Sequence, residues 1–297
     1  MRTESAMKAA LPKMTIDSHQ HFWRYDAARY AWITEEMAIL KRDFLPEAFE
    51  RECDANGIDG SIAVQADQSE ADTLFLLELA ERNKRIVGVV GWVDLRSPRI
   101  EERLRHFSQF KKLCGFRHIA QAEPDDRFLV GSDFLRGIAR LNEFGFAYDI
   151  LVYPKQLPAA IELVSRFPEQ RFVVDHLAKP EIKTGGREPW AACIKTIAQN
   201  ANVYCKVSGL VTEADWSHWK PEDFRAYLDV VFEAFGPERL MFGSDWPVCL
   251  LAASYRQVRE LLESYVELHA ANHKENIFGG NAVRFYGLQA APHGLAA

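Results

Sequence analysis

Paired cysteines, long apolar runs, basic tracts and glycine-rich phosphate turns are all missing from this sequence, and each absence removes a class of protein. The five cysteines, Cys53, Cys114, Cys193, Cys205 and Cys249, are odd in number and scattered, with no C-x-x-C spacing. That usage argues for reduced thiols and a cytoplasmic location, not a disulfide scaffold. No apolar stretch approaches the roughly 20 residues that a membrane helix requires. The first 13 residues carry basic side chains without the apolar segment of an export signal, so 1–13 reads as a flexible leader and 14–297 as the folded domain. Lys and Arg total 36 against 42 Asp and Glu, a net charge of −6 with no basic cluster. Neither nucleic acid nor membrane is therefore an expected partner; a small molecule is. Nothing in the sequence specifies an oligomeric state.

What is present is the composition of a globular protein, 48% hydrophobic and 26% charged. Eight short β-rich runs begin near Ile16, Ser61, Arg85, Gly115, Phe146, Arg171, Asn202 and Leu240, with helix-like segments between most of them. Strand and helix alternating at this spacing predict βαβ units and a parallel sheet. Ser69 with Asp72 reads as a capping box opening a helix whose stripe is Ala71, Leu74, Phe75 and Leu79; Val258, Leu261, Leu262 and Tyr265 form a second stripe after the last strand. A doubly wound sheet would carry G-x-G-x-x-G after its first strand. Here that turn is His-Gln-His-Phe-Trp, and no linker or low-complexity tract divides the chain. The expected architecture is a single-domain (β/α)8 TIM barrel of the α/β class. The loop after the first strand, with Phe22, Trp23, Tyr25, Tyr30 and Trp32, would then lie on the face where barrel enzymes keep their active sites.

In such a barrel, chemistry comes from the residues that close each strand. The first strand ends in Asp17-Ser18-His19-Gln20-His21, where a two-residue period puts Asp17, His19 and His21 on one face. Two adjacent imidazoles serve equally as metal ligands or as acid and base. The remaining strands close with Gln65; Trp92 and Asp94; Arg117 and His118; Tyr148 and Asp149; Asp175 and His176; Lys206 and Ser208; and Ser244, Asp245 and Trp246. Any one of these is ordinary. Together, His19, His21, His118, His176 and Asp245 at separate strand ends would converge on one pocket, the usual mark of acid-base or metal chemistry.

The segments Ile-Asp-Ser-His-Gln-His-Phe-Trp, Gly-Phe-Arg-His, Val-Val-Asp-His-Leu-Ala-Lys-Pro, Tyr-Cys-Lys-Val-Ser-Gly-Leu, Phe-Gly-Ser-Asp-Trp-Pro and Ile-Phe-Gly-Gly-Asn-Ala occur in order along nearly the whole chain. They resemble the amidohydrolase superfamily, in particular its amidohydrolase-2 branch and the sugar lactonases of the L-fuconolactonase and L-rhamnonolactonase type. The resemblance implies hydrolysis of an aldonolactone, as in L-fucose degradation, with Asp245, His176 and His118 as catalytic residues. It implies metal ligation by His19, His21, His176 and Asp245. Many amidohydrolases close the fourth strand with a lysine that bridges two metals, whereas Arg117 and His118 stand here, so at most one divalent ion, zinc, is expected, and metal-independent hydrolysis stays open. Substrate contacts are expected from Trp32, Gln65, Trp92, Arg117, Tyr148, Asp149, Lys206, Ser208 and Trp246. A metal-dependent decarboxylase of aromatic carboxylates and a non-catalytic sugar-binding barrel are the competing readings.

Overall fold

The computed structural model describes residues 14–288; the expected leader lies outside them. Eight parallel strands, β1 (Ile16–Gln20), β2 (Gly60–Val64), β3 (Ile86–Gly91), β4 (Leu113–His118), β5 (Ala147–Ile150), β6 (Phe172–Val174), β7 (Val203–Val207) and β8 (Leu240–Phe242), pair in sequence order. Each lies within two residues of an expected run. The barrel closes between β8 and β1: the Asp245 N–H donates to the His19 carbonyl at 2.8 Å and the His21 N–H to the Trp246 carbonyl at 2.7 Å. The closing seam therefore runs through the histidine pair, and its backbone bonds set the spacing of His19, His21 and Asp245.

Eight helices follow the strands: α1 (Pro46–Asn56), α2 (Glu70–Arg82), α3 (Ile100–Phe107), α4 (Ser132–Leu141), α5 (Leu157–Arg166), α6 (Trp190–Ile197), α7 (Pro221–Phe235) and α8 (Tyr255–His269). On α8 the expected stripe is the packed face, with Val258, Leu262 and Tyr265 buried. On α2 half of it is. Ala71 and Leu74 face solvent, Phe75 and Leu79 pack partly against the core, and the fully buried face is Thr73, Leu76, Leu77 and Ala80. In a segment this rich in leucine both stripes fit a helical period, and only the position of β3 decides between them. The Ser69 hydroxyl does accept from the Asp72 N–H at 3.1 Å, but the Asp72 carboxylate turns to the Ala66 N–H at 3.0 Å instead of closing the box.

A ninth helix, α9 (Asn281–Tyr286), packs against the barrel lining. Ala282, Val283, Phe285 and Tyr286 join Ile16, Ile62, Val64, Val90, Cys114, Ala147, Val173 and Met241 in one apolar cluster. Each Val, Ile, Phe or Met side chain among them contributes roughly 1.5–3 kcal/mol when fully buried. Above this layer, toward the strand C-termini, the lining becomes charged. None of the helices among the described residues is long and apolar enough to cross a membrane.

Candidate active site

The charged layer is built from alternate residues of neighbouring strands. Lys206 on β7 puts its Nζ 2.5 Å from Asp149 Oδ2 on β5 and 3.1 Å from Asp175 Oδ1 after β6, with all three side chains fully buried. Arg117 on β4 donates to the other Asp175 oxygen at 3.0 Å and to the Gln65 side chain at 3.1 Å. The Tyr286 hydroxyl reaches up from α9 to Asp149 at 2.8 Å. Two cations thus face two carboxylates in a closed network, as buried charges require. Burial would strip the Lys206 proton, but Asp149 and Asp175 outweigh it and raise its pKa.

His19 rests on this layer. Its Nδ1 lies 3.2 Å from Lys206 Nζ and 3.4 Å from Asp175 Oδ1, and its Nε2 accepts from Arg117 at 3.2 Å. Burial holds the ring well below the ordinary imidazole value. His21 donates from Nδ1 to the Val64 carbonyl at 2.8 Å, a pure acceptor, which leaves a lone pair on Nε2. That Nε2 faces His19 Nε2 at 3.2 Å and Asp245 Oδ1 at 3.3 Å. His176 Nε2 lies 3.8 Å from the same oxygen, while its Nδ1 meets the Ser208 hydroxyl at 2.8 Å. Burial keeps His176 neutral, well below its usual pKa. For Asp245 burial would raise the pKa, but His176, His21 and Lys179 outweigh it and hold the carboxyl below its usual range.

Backbone strain concentrates on these positions. Asp245 has φ 58°, and four consecutive non-glycine residues, His176 to Lys179, have φ between 51° and 56°. Left-handed backbone costs roughly 1–2 kcal/mol per L-residue and persists at sites the surrounding structure over-determines. Here the Lys179 N–H donates to the His176 carbonyl at 2.7 Å and the Trp190 indole to that of Leu177 at 2.7 Å. Gly209 completes the cradle: at its φ of 62°, a Cβ would come within 2.6 Å of His176 Nδ1.

Above Asp245 opens a cavity of about 480 Å³. Of the residues expected from sequence, His21, Trp32, Arg117, His176 and Asp245 line it. His19 lies just beneath. The others do not reach the cavity: some point out of the barrel by strand parity, and some are sealed beneath the cavity floor. Arg117 points inward, so its neighbour His118 points out, where Nε2 meets Glu123 at 2.6 Å, the Trp92 indole donates to Nδ1 at 3.2 Å and Phe128 stacks on the ring. Trp92 is thereby committed to His118. Asp149 is inward but sealed below His19, which turns Tyr148 outward against Phe134 and Phe172. Gln65 and Lys206 belong to the closed charge layer, and Ser208 holds His176. Trp246 packs among Phe22, Phe44 and Phe49. The first-loop aromatics divide in the same way: Phe22, Trp23 and Tyr30 are core, and only Trp32 among the five borders the cavity. Asp17 does not share a face with His19. The β1–β2 register shifts between Asp17 and Gln20, and the Asp17 carboxylate accepts from the His19 and Ser244 amides and from the Tyr255 hydroxyl on α8.

The donor set answers whether a metal fits. His19 Nε2, His21 Nε2 and Asp245 Oδ1 lie within 4.8 Å of one another, and the hydrogen bonds above present all three as acceptors. A shared proton or a cation relieves that arrangement, and two imidazoles with a carboxylate suit zinc. His176 groups instead with His19 and Asp175, a set already occupied by the ammonium of Lys206 and the guanidinium of Arg117.

A family model of amidohydrolases matches residues 16–288. The chain belongs to the amidohydrolase family. It is 46% identical over 286 residues to an L-fucono-1,5-lactonase of Burkholderia multivorans, covering 93% of this chain and 96% of that one. An L-fucono-1,5-lactonase of Burkholderia ambifaria is 34% identical over 91% of this chain and 94% of its own. A crystal structure of an amidohydrolase from Burkholderia multivorans with bound zinc superposes with a TM-score of 0.89 at 45% identity, over 93% of this chain and all of that one.

Proposed function

We propose that this amidohydrolase opens a sugar lactone, of which L-fucono-1,5-lactone is the first to test, to the aldonic acid, with Asp245 as the base. The observation that carries the reading is geometric: the Asp245 carboxylate and the His176 imidazole, 3.8 Å apart, both border one cavity of about 480 Å³. The two lactonase relatives support the substrate class.

Asp245 takes a proton from water as the water oxygen bonds to the lactone carbonyl carbon. The Arg117 guanidinium, which borders the cavity while paired with Asp175, adds positive potential toward the developing oxyanion. When the carbonyl re-forms, the bond to the ring oxygen breaks and Asp245 returns its proton to that oxygen. The new carboxylic acid ionises, so each turnover releases one proton. His176, held by Ser208, orients the carbonyl. A single divalent ion, zinc, would be held by His19, His21 and Asp245 and would supply Lewis-acid polarisation of the carbonyl. The five unpaired thiols fit a reducing cytoplasm, and L-fucose degradation is the process this activity would serve.

The lactonase relatives at 46% and 34% identity favour a lactone over an aromatic carboxylate, for which the wall offers little unpaired side-chain charge. Among the described residues of the cavity, Arg117 is paired with Asp175 and Lys179 with Glu213. The wall suits a neutral ring.

Acid release from L-fucono-1,5-lactone, read with a pH indicator, tests the reading. Asp245→Asn, which keeps size and fold, is expected to lose at least about 100-fold in turnover; a variant retaining a tenth of wild-type activity removes Asp245 as the base. Elemental analysis before and after chelation, with activity measured on each sample, decides the ion: full turnover in metal-free protein refutes it.

A further inference from the structure

Lys179 and Glu213 form an ion pair on the cavity wall that the hydrolytic steps leave unused. They arrive from different loops, Lys179 at the end of the left-handed turn after β6 and Glu213 in the short turn after β7, and meet at 3.0 Å. Both border the same cavity as Asp245 and His176. Their side chains keep 17% and 20% of their surface, whereas the Lys206–Asp149 pair below keeps none. One pair is sealed into the fold; the other is open to whatever enters.

We propose that Lys179 and Glu213 are the subsite that reads the ring hydroxyls of the substrate; the inference rests on the lactonase reading above. A hydroxyl both donates and accepts. An ammonium and a carboxylate 3.0 Å apart satisfy both directions at once, and charge-assisted hydrogen bonds are the stronger kind. The pair carries no net charge, which suits a neutral polyol and disfavours an anionic substituent placed against Glu213. Around it stand surfaces for the apolar face of a ring: Tyr153 with its ring centroid 5.6 Å from Lys179 Nζ, and Trp216 and Trp32 on the cavity border. The strained turn gains a reason from the same geometry. Only two residues separate His176 from Lys179, and the left-handed path brings both side chains to the cavity, so the turn spaces the hydroxyl subsite from the reacting carbonyl.

The test compares kcat/KM for L-fucono-1,5-lactone with that for δ-valerolactone, the bare ring, in the wild type, Lys179→Met and Glu213→Gln. Losing one charge-assisted bond to a hydroxyl is expected to reduce the ratio of the two values by about 10- to 100-fold in each variant. An equal fall on both lactones makes the pair structural or catalytic and overturns the proposal, as does an unchanged ratio. Glu213→Gln is nearly isosteric and keeps the test decisive should Lys179→Met fail to fold. If the wild type turns over neither lactone, binding of L-fucose, a ring with no ester to open, is followed by tryptophan fluorescence. Binding weakened at least about 10-fold by Glu213→Gln upholds the subsite while the lactonase reading falls; binding that is absent or unaffected overturns both.

Discussion

Replacing Lys206 by Met deletes an ammonium on which two buried carboxylates depend. Lys206 Nζ stands 2.5 Å from Asp149 and 3.1 Å from Asp175, none of the three exposed. Removing one partner of a buried pair typically costs about 3–5 kcal/mol, because the charge left behind can neither escape nor pair. Each carboxylate keeps other partners, Arg117 at 3.0 Å and His19 at 3.4 Å for Asp175 and the Tyr286 hydroxyl at 2.8 Å for Asp149. We therefore expect about 4 kcal/mol, and a melting temperature lower by roughly 8–16 °C at pH 7 for a domain of this size. The pH dependence supplies the diagnosis. Burial raises the Asp149 pKa even beside Lys206; without the ammonium it climbs further above the unfolded value near 3.9, and Asp175 loses the largest charge that holds its own value down. A carboxyl shifted that way contributes stability that is present at low pH and lost as pH rises through its folded value. The deficit of Lys206→Met against wild type should shrink between pH 7 and pH 5, and adding Asp149→Asn should recover at least about 1 kcal/mol at pH 7. Denaturant titrations of the three proteins measure all of this. A deficit under about 1 kcal/mol, or one that does not respond to pH, refutes the picture of a charged network beneath His19.

Two further outcomes follow from the geometry. Burial pushes Asp72 from 3.8 up to about 6, although the Ala66 N–H and Arg29 oppose it; with the folded value raised, the wild type should gain on Asp72→Asn by about 2 kcal/mol as pH falls from 7 to 4, and parallel pH profiles for the two proteins would contradict it. His176→Ala should cost at least about 100-fold in kcat/KM and His118→Ala less than about 10-fold, since only the first reaches the cavity; equal losses would return His118 to the site.

The strands were legible because eight apolar runs must be buried on both faces, and such runs survive any uncertainty about register. The site was half legible for the opposite reason. Arg117 and His118, or Tyr148 and Asp149, are adjacent in sequence, and a period of two guarantees that only one of each couple faces inward. Which one is decided by register: β4 pairs Arg117 with Asp149, so both point in and both neighbours point out. Treating the couples as joint candidates overlooked that constraint, which the sequence alone could have supplied. Asp17 failed differently, because the register shift in β1 breaks the alternation on which its assignment rested. Lys179 and Glu213 gave no periodic signal at all. They lie in loops, and their meeting depends on backbone at positive φ that no hydrophobic pattern encodes.

The two charged tiers of the barrel do different work, and the difference lies in whether they are closed. In the lower tier each ammonium or guanidinium meets a carboxylate, and the result is rigid: His19 is held at both ring nitrogens by groups that cannot move without exposing a charge. In the upper tier the acceptors His19 Nε2, His21 Nε2 and Asp245 Oδ1 crowd together, with Arg117 donating to the first while the second and third face each other at 3.3 Å. Such crowding is unfavourable unless a proton, an ion or a substrate supplies the missing positive partner. The lower tier therefore stabilises a geometry that the upper tier would relax if it could. That is the condition for preorganisation: the cost of assembling the acceptors is met in folding, before the lactone arrives.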